Sequence, residues 1–432
     1  MSELKSELIG NDVTLGRVKD GHEKLIMNSK SRETHLYVVG ATRVGKSKLL
    51  QSMIQQDILS WSETGCGMLL IDPHGSLYQN VMKYLAEKKH NTKLKDLPIL
   101  PIDLRLDDWI ISYNLLRQRE NVSASVIVDG ILDVVAHVWE AKGTAQTPLF
   151  AKMFSAILHG LYQKGLTLSD APYFLTHLEQ KFRKALAEGV TNPMIRNTLD
   201  YISDIKTATQ MEEKIGSTGS RLMSFLSKEL LNLMFGQKDV SINFEKMLNE
   251  GWIVLVNLST TGGKISKKDA RLFGTLLLDD LWETAKNRPE EDVKKSFYVY
   301  LDEFQEQITP TIAKSLDQSS KYGLRLILSH QYPNQLIHEG GDAGKYIKDS
   351  VMACARTKIA FSIEEDEGLT EITKILYRGT VDPDKVAYEI YSTKAMGSHE
   401  ETRTIRGSNK TTPGSSETEV FNADGERVGG TF

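Results

Sequence analysis

The stretch from His35 to Leu50 constrains this chain more than any other. It reads His-Leu-Tyr-Val-Val-Gly-Ala-Thr-Arg-Val-Gly-Lys-Ser-Lys-Leu-Leu. An apolar, β-branched run from Leu36 to Val39 meets a loop bounded by Gly40 and Gly45. Lys46 and Ser47 follow, and Leu49, Leu50, Met53 and Ile54 then recur on one helical face. This is the spacing G-x-x-x-x-G-K-[ST], a P-loop, in the strand–turn–helix context such a loop requires. Glycine permits the backbone conformations that turn successive N–H groups inward, and the helix behind adds its positive end. Gly40, Ala41, Thr42, Arg43, Val44 and Gly45 therefore form a candidate phosphate cradle. Lys46 can reach the β- and γ-phosphates, and the Ser47 hydroxyl can hold Mg²⁺. The stretch predicts a site for a nucleoside triphosphate with Mg²⁺.

At 432 residues the chain can bury a large core, and its length suggests two or three domains. Charge is nearly balanced, 53 Lys+Arg against 57 Asp+Glu for a net −4, so there is no global basic footprint. Any nucleic-acid contact must come from a local patch or a pore. Two cysteines, Cys66 and Cys354, cannot form a disulfide framework and suit a reducing compartment. No uninterrupted apolar run approaches the roughly 20 residues of a membrane span, and the N-terminus lacks the apolar segment of a secretory signal. The expected location is cytoplasmic, or peripheral at the inner membrane face.

Residues 1–34 form a β-rich lead-in, with Val13, Leu15 and Val18, then Leu25 and Met27, flanking the turn Lys19-Asp20-Gly21-His22 as in a hairpin. The P-loop helix is expected to end near Trp61. Gly67–Ile71 reads as a buried strand, ending in Asp72-Pro73-His74-Gly75. That places an acid at a strand's carboxyl end, where open α/β sheets keep their ligands. A helix over Ser76–Lys89 and a strand over Leu97–Asp103 continue the alternation, which indicates a mostly parallel sheet covered on both faces. Residues 35–121 are thus the first part of a nucleotide-binding domain. From 122 to 235 the strand pattern gives way to helical stretches at Ser123–Glu140, Pro148–Lys164, Ala171–Ala187 and Gly216–Phe235. Apolar residues there recur at helical spacing, as in Met153, Ile157, Leu158 and Leu161. The expected fold class is accordingly α/β with an inserted all-α domain. The α/β pattern resumes over 236–391 with strands at Trp252–Leu258, Phe297–Leu301, Leu324–Ser329 and Lys358–Ile363, and a helix at Lys268–Lys286. From 392 to 432 the composition turns to Ser, Thr, Gly, Glu and Lys, which favours disorder or a loose hairpin.

The strand Phe297–Leu301 runs into Asp302-Glu303, the pattern of a Walker B element. Asp302 would enter the Mg²⁺ shell, and Glu303 would polarise the attacking water. Gln331 follows the next strand and can hydrogen-bond the γ-phosphate and the lytic water, reporting nucleotide state to the chain. The neighbouring His330 reads as a hydrogen-bonding or stacking residue, since no metal-ligand spacing accompanies it.

In order, GATRVGKS, LLIDPHGSL, YNLL, an α-helical insert, WIVLVNLSTTGG, VYLDEFQ, KYGLRLILSHQYPNQL and ARTKIAFSI resemble the HerA/FtsK superfamily of DNA-pumping ATPases. Within it the chain is most similar to the motor domain of the TraG/TraD-like conjugative coupling proteins of type IV secretion, from about Leu8 to Leu376. The resemblance implies a RecA-like P-loop domain and a homo-hexameric ring with ATP between subunits. DNA would thread the channel, and Lys46, Ser47, Asp302, Glu303 and Gln331 fall on the motif positions. Three features depart from the pattern. Arg43 stands where relatives usually carry glycine, and Ser320-Lys321 replaces an Arg-Lys pair. The membrane-spanning helices with which coupling proteins usually begin are absent. The second departure leaves Lys321, Arg325, Arg356 and Arg221 as candidates to act on a neighbour's nucleotide, Arg221 being expected at a helix start.

A motor with a slightly acidic surface needs basic groups in its channel to track phosphates. The loop Thr260–Lys268 supplies Lys264, Lys267 and Lys268 as pore-loop candidates; an ordinary helix start capped by Ser266 explains the same residues. The insert is expected to cap one channel mouth. It has no base-reading motif. The leading expectation is an ATP-driven DNA translocase of conjugation or a related mobile element, with relaxase or secretion components as partners. Two rivals stand beside it: a HerA-like translocase in DNA processing or antiviral defence with a nuclease or other effector, and a protein-secretion ATPase.

Overall fold

The computed structural model describes residues 11–18, 23–88, 90–106, 108–119, 122–140, 148–307, 316, 318–363, 366–376, 388–396 and 399–407. Seven strands form one parallel sheet: β3 (Leu36–Val39), β4 (Gly67–Asp72), β5 (Ile99–Asp103), β6 (Ile253–Asn257), β7 (Phe297–Leu301), β8 (Leu324–His330) and β9 (Thr357–Ala360). Their spatial order is β5-β6-β4-β7-β8-β3-β9. Composition separates the central strands from the edges. Strands β3, β4, β6 and β7 are continuous apolar runs buried at every position, which only central strands covered by helices on both faces can be. Strands β5 and β9 are partly exposed, and β5 carries Pro101, whose missing N–H is tolerated at a sheet edge.

Helix α2 (Lys46–Thr64) follows the P-loop and runs one turn beyond its expected end, to the left-handed Gly65 (φ +61). Its apolar face buries Leu49, Leu50, Met53 and Ile54 against the sheet, as the periodicity predicts. The lead-in is the antiparallel hairpin of β1 (Val13–Arg17) and β2 (Lys24–Met27), anchored in the same core by Val13 and Met27. Its expected turn residues 19–22 lie outside the described residues. The short helix α1 (Ser29–Arg32) brings Arg32 to Asp57 of α2 at 2.6 Å in a buried pair that Tyr300 of β7 also joins.

Between the neighbouring strands β5 and β6 the chain departs into helices: α4 (Ala124–Glu140), α5 (Pro148–Gln163), α6 (Gln180–Ala187), α7 (Pro193–Ser203), α8 (Ala208–Leu226) and α9 (Glu229–Phe235). Helix α3 (Ser76–Glu87) lies on the sheet itself. The helix expected over Ala171–Ala187 is broken. A 3₁₀ segment, Leu168–Phe174, contains Pro172, whose ring and missing N–H stop an α-helix, and α6 starts only at Gln180. The stretch expected over Gly216–Phe235 is likewise two helices, and α7 was not expected although Asn192-Pro193 signals its start as N-cap and N1. Three tethers fasten the insert's entrance to α11 (Lys267–Lys286): Tyr113 donates to the Leu276 carbonyl, and Arg117 and Arg119 both reach Asp280. Helices α10 (Phe244–Glu250) and α12 (Gln335–Cys354) complete the α/β part.

The chain divides at Leu369 into a second unit, whose described residues include an antiparallel hairpin of β10 (Tyr388–Met396) and β11 (His399–Gly407). The remainder of the expected tail, 408–432, lies outside the described residues. Among the described residues no helix is long and apolar enough to cross a membrane.

Two buried histidines pin the β3–β8 pair. His35 Nδ1 accepts from the Leu326 N–H while Nε2 faces the Leu316 carbonyl at 3.0 Å. At the other end His330 meets the Tyr37 hydroxyl at 2.5 Å and the edge of Phe304. Burial, opposed by the bond to Leu316, lowers the His35 pKa to about 4, and burial together with Lys46 lowers that of His330 to about 3. Both groups are neutral when folded and charge near pH 6.5 when unfolded, so the unfolded chain binds more protons between pH 4 and 6.5. The stability they confer is complete above pH 6.5 and is lost as pH falls. Denaturant unfolding at pH 5 should show about 2–4 kcal/mol less stability than at pH 7. His35→Gln should flatten that dependence; an unchanged pH profile in the variant would refute the assignment.

Candidate active site

All seven strands point the same way, so their carboxyl ends form one edge carrying Asp103, Asn257, Asp72, Asp302, His330 and Gly40 in spatial order. Register sets their levels: Ile71 lies opposite Leu301, Leu301 opposite Leu328, and Val39 opposite His330.

The P-loop is moored on both sides. Gly40 N–H donates to the His330 carbonyl at 3.3 Å, and Ala41 N–H to the Ser362 carbonyl at 2.6 Å. Phe361 packs over the loop so closely that a Cβ on Gly40 would lie 2.6 Å from its own Cβ. Arg43, the departure from glycine, adopts φ +66, and Gly45 adopts φ +114 at the helix start. A residue with a Cβ rarely occupies that left-handed region, so Arg43 carries local strain where the loop turns its amides inward. Lys46 Nζ donates to the carbonyls of Gly40 at 2.7 Å and Ala41 at 3.0 Å. Its ammonium thus sits in the mouth of the cradle, where an anion would compete for its protons.

Ser47 Oγ donates to Asp302 Oδ2 at 2.9 Å, reaching from the P-loop helix across β8 to the tip of β7. The other oxygen, Oδ1, is buried without a partner at hydrogen-bond geometry, although the Ser329 hydroxyl, likewise unpartnered, lies near enough to the carboxylate to lower its pKa. Burial raises the Asp302 pKa, the Ser47 hydrogen bond offsets part of that, and the charges of Asp72 and Glu303 raise it further. A cation between Ser47 and Asp302 would satisfy the orphaned oxygen and relieve this repulsion, so the pair suits Mg²⁺, which takes one or two protein oxygens and fills its shell with phosphate and water. Asp72 is not available: its carboxylate accepts from the His74 and Tyr78 N–H groups and caps the start of α3.

Glu303 follows at φ +47, a left-handed turn uncommon for a side chain this large. Glu303 is buried, and its carboxylate accepts from Gln305 Nε2 at 2.7 Å. Gln305, buried with its own Oε1 unpartnered, escaped the sequence reading, as did Phe361. Only the fold shows that these two touch motif residues. Gln331 stands beside Gly40 at the end of β8, its N–H donating to Gln335.

The other candidates separate. Lys321 and Arg356 precede β8 and β9 and Arg325 is the second residue of β8, so all three lie at the amino edge of the sheet, opposite the phosphate cradle of their own subunit. Arg325 is held by the Ser320 carbonyl. Arg221 is corrected: it lies well inside α8, not at a helix start, with its guanidinium 4.8 Å from the centre of the Phe150 ring. Helix 208–226 begins earlier than expected because its periodic face extends back to Met211 and Ile215. Among the basic loop residues, Lys267 and Lys268 open α11, capped by Ser266, and Lys264 lies on the exposed loop before it.

Comparison with known proteins places this geometry. The family model for the type IV secretion-system coupling protein DNA-binding domain matches residues 21–407. The conjugative coupling protein TrwBdeltaN70 superposes with a TM-score of 0.52 at 16% identity, covering 88% of this chain and 78% of that one. VirB4 of Thermoanaerobacter pseudethanolicus gives 0.54 at 14% identity, covering 93% and 96%. At these identities the likeness is one of fold, the RecA-like parallel sheet with its helices. A threonine–tRNA ligase of Syntrophotalea carbinolica is 27% identical over 183 residues, but the match spans 37% of this chain and 28% of the ligase. The chain belongs to the type IV secretion-system coupling protein family.

Proposed function

We propose that the protein is an ATP-hydrolysing DNA translocase of conjugative or mobile-element transfer, working as a homo-hexameric ring. The observation that carries this reading is the Ser47–Asp302 hydrogen bond, with its unpartnered second oxygen, directly beside the P-loop. A P-loop that only bound Mg-nucleotide would need Asp302 for the metal but not the second acid, Glu303, next to it. Lys46 leaves the Gly40 and Ala41 carbonyls for the phosphates. Ser47 and Asp302 hold Mg²⁺, which neutralises phosphate charge when bound. Glu303 accepts the proton of the attacking water, and Gln331 orients that water. Lys321, Arg325 and Arg356 lie at the edge remote from their own cradle, so they stay the candidates to serve a neighbouring subunit's nucleotide.

ATP hydrolysis by the purified chain should rise on adding DNA. Glu303→Gln should lower turnover by about 10²-fold or more while retaining nucleotide binding. Stimulation by a protein partner alone, with none by DNA, would turn the reading toward secretion. Asp302 gives two further tests. Metal binding needs the carboxylate, and its pKa is raised, so the Mg²⁺ concentration for half-maximal turnover should climb on acidification from above the ordinary carboxylate range. Asp302→Asn removes a buried charge held near two others, so melting of the nucleotide-free protein should rise by roughly 2 °C while Mg²⁺-dependent turnover is lost. A lower melting temperature would show that Asp302 is structural.

A further inference from the structure

A second cavity, of about 140 Å³, opens on the β6-β4-β7 half of the carboxyl edge, across Asp302 and Glu303 from the P-loop. Four segments wall it: Pro73 and His74 after β4, Leu258 and Thr260 after β6, Lys267, Ala270 and Arg271 on α11, and Glu306 and Gln307 after β7. Lys267 and Arg271 stand four residues apart and so share a helix face. They are not equivalent. Lys267, 75% exposed, pairs with Glu306 at 2.7 Å, whose carboxylate is 15% exposed. Arg271 is half-buried, its Nε is fully buried without a partner, and among the described residues it makes no hydrogen bond or ion pair. Lys267 and Glu306 cancel, so the cavity faces one unneutralised guanidinium. The nearby Asp269 carboxylate does not answer it, being held by Ser266 at 2.6 Å. A partly desolvated guanidinium without an acceptor is costly, and its planar fork suits a phosphate.

We propose that this cavity takes a backbone phosphate of DNA, gripped by Arg271 and Lys267. The proposal rests on the translocase reading and names where DNA meets the motor. It also supplies the link to hydrolysis. A phosphate competes with Glu306 for Lys267, and Glu306 belongs to the turn in which its N–H bonds the Glu303 carbonyl at 3.0 Å and Gln305 holds the Glu303 carboxylate. Filling the cavity therefore loosens the turn that carries the catalytic acid.

The test uses the full chain, a labelled oligonucleotide in single- and double-stranded form, and inorganic phosphate as competitor. Arg271→Gln should weaken DNA binding about tenfold at about 0.1 M salt and reduce the slope of log K against log salt by about 1. Glu306→Gln, which frees Lys267, should tighten DNA and bring turnover with and without DNA closer together. Lys286→Gln, at the far end of α11, should leave affinity and slope at wild-type values; a loss equal to that of Arg271→Gln would reduce the effect to net charge and overturn the site. Wild-type affinity and slope in Arg271→Gln would overturn this proposal alone. Phosphate that binds at millimolar concentration without displacing DNA, that binding being lost in Arg271→Gln, would assign the cavity to free phosphate and overturn it as a DNA contact. A wild-type chain that neither binds DNA nor is stimulated by it would end the translocase reading together with this site.

Discussion

One hydrogen bond, from Ser47 Oγ to Asp302 Oδ2, joins the two halves of the site across an intervening strand. It forms only because β8 lies between β3 and β7 with all three strands parallel and in fixed register. A slip of one residue would turn Asp302 to the other face of the sheet. The register is held by strands buried at every position and by the histidines at either end of the β3–β8 pair, which allow the sheet little freedom. A few apolar strands thus set the position of two polar atoms to within a hydrogen bond.

The same edge concentrates what a stable fold would avoid. Asp302 is buried beside Asp72 and Glu303, Arg43 and Glu303 occupy left-handed backbone, and oxygens of Asp302 and Gln305 lack partners. Each of these costs stability, and together they sit where a cation, phosphates and a water would meet. The surrounding sheet is apolar and well packed, so it can bear this cost.

The turn after β7 connects the site to the rest of the chain. Glu303, Gln305, Glu306 and Gln307 lie within five residues, and each has a different partner. Glu303 and Gln305 bond each other, Glu306 reaches Lys267, and Gln307 accepts from Thr275 of α11. Helix α11 also anchors the helical insert through Asp280 and the Leu276 carbonyl. One helix, α11, thus carries the contacts of the turn, the end of the basic loop and the base of the insert.

Local pattern alone determined much of this protein. The cradle from Gly40 to Ser47, the acids Asp302 and Glu303, the positions of the central strands and the helical insert are all legible, because each depends on a run of neighbouring residues with a physical period or a fixed spacing. Helix breaks were less legible: Pro172 ended one expected helix, and the start of α8 showed only in its packing. What tertiary structure alone decided is which distant residues meet. The two motifs already put Ser47 and Asp302 on one Mg²⁺, but nothing near Gly40 names Phe361, and nothing near Arg271 names Glu306 or His74. Those pairings follow from strand order, which a chain reaches only by burying its apolar runs together, so no inspection of adjacent residues reveals them.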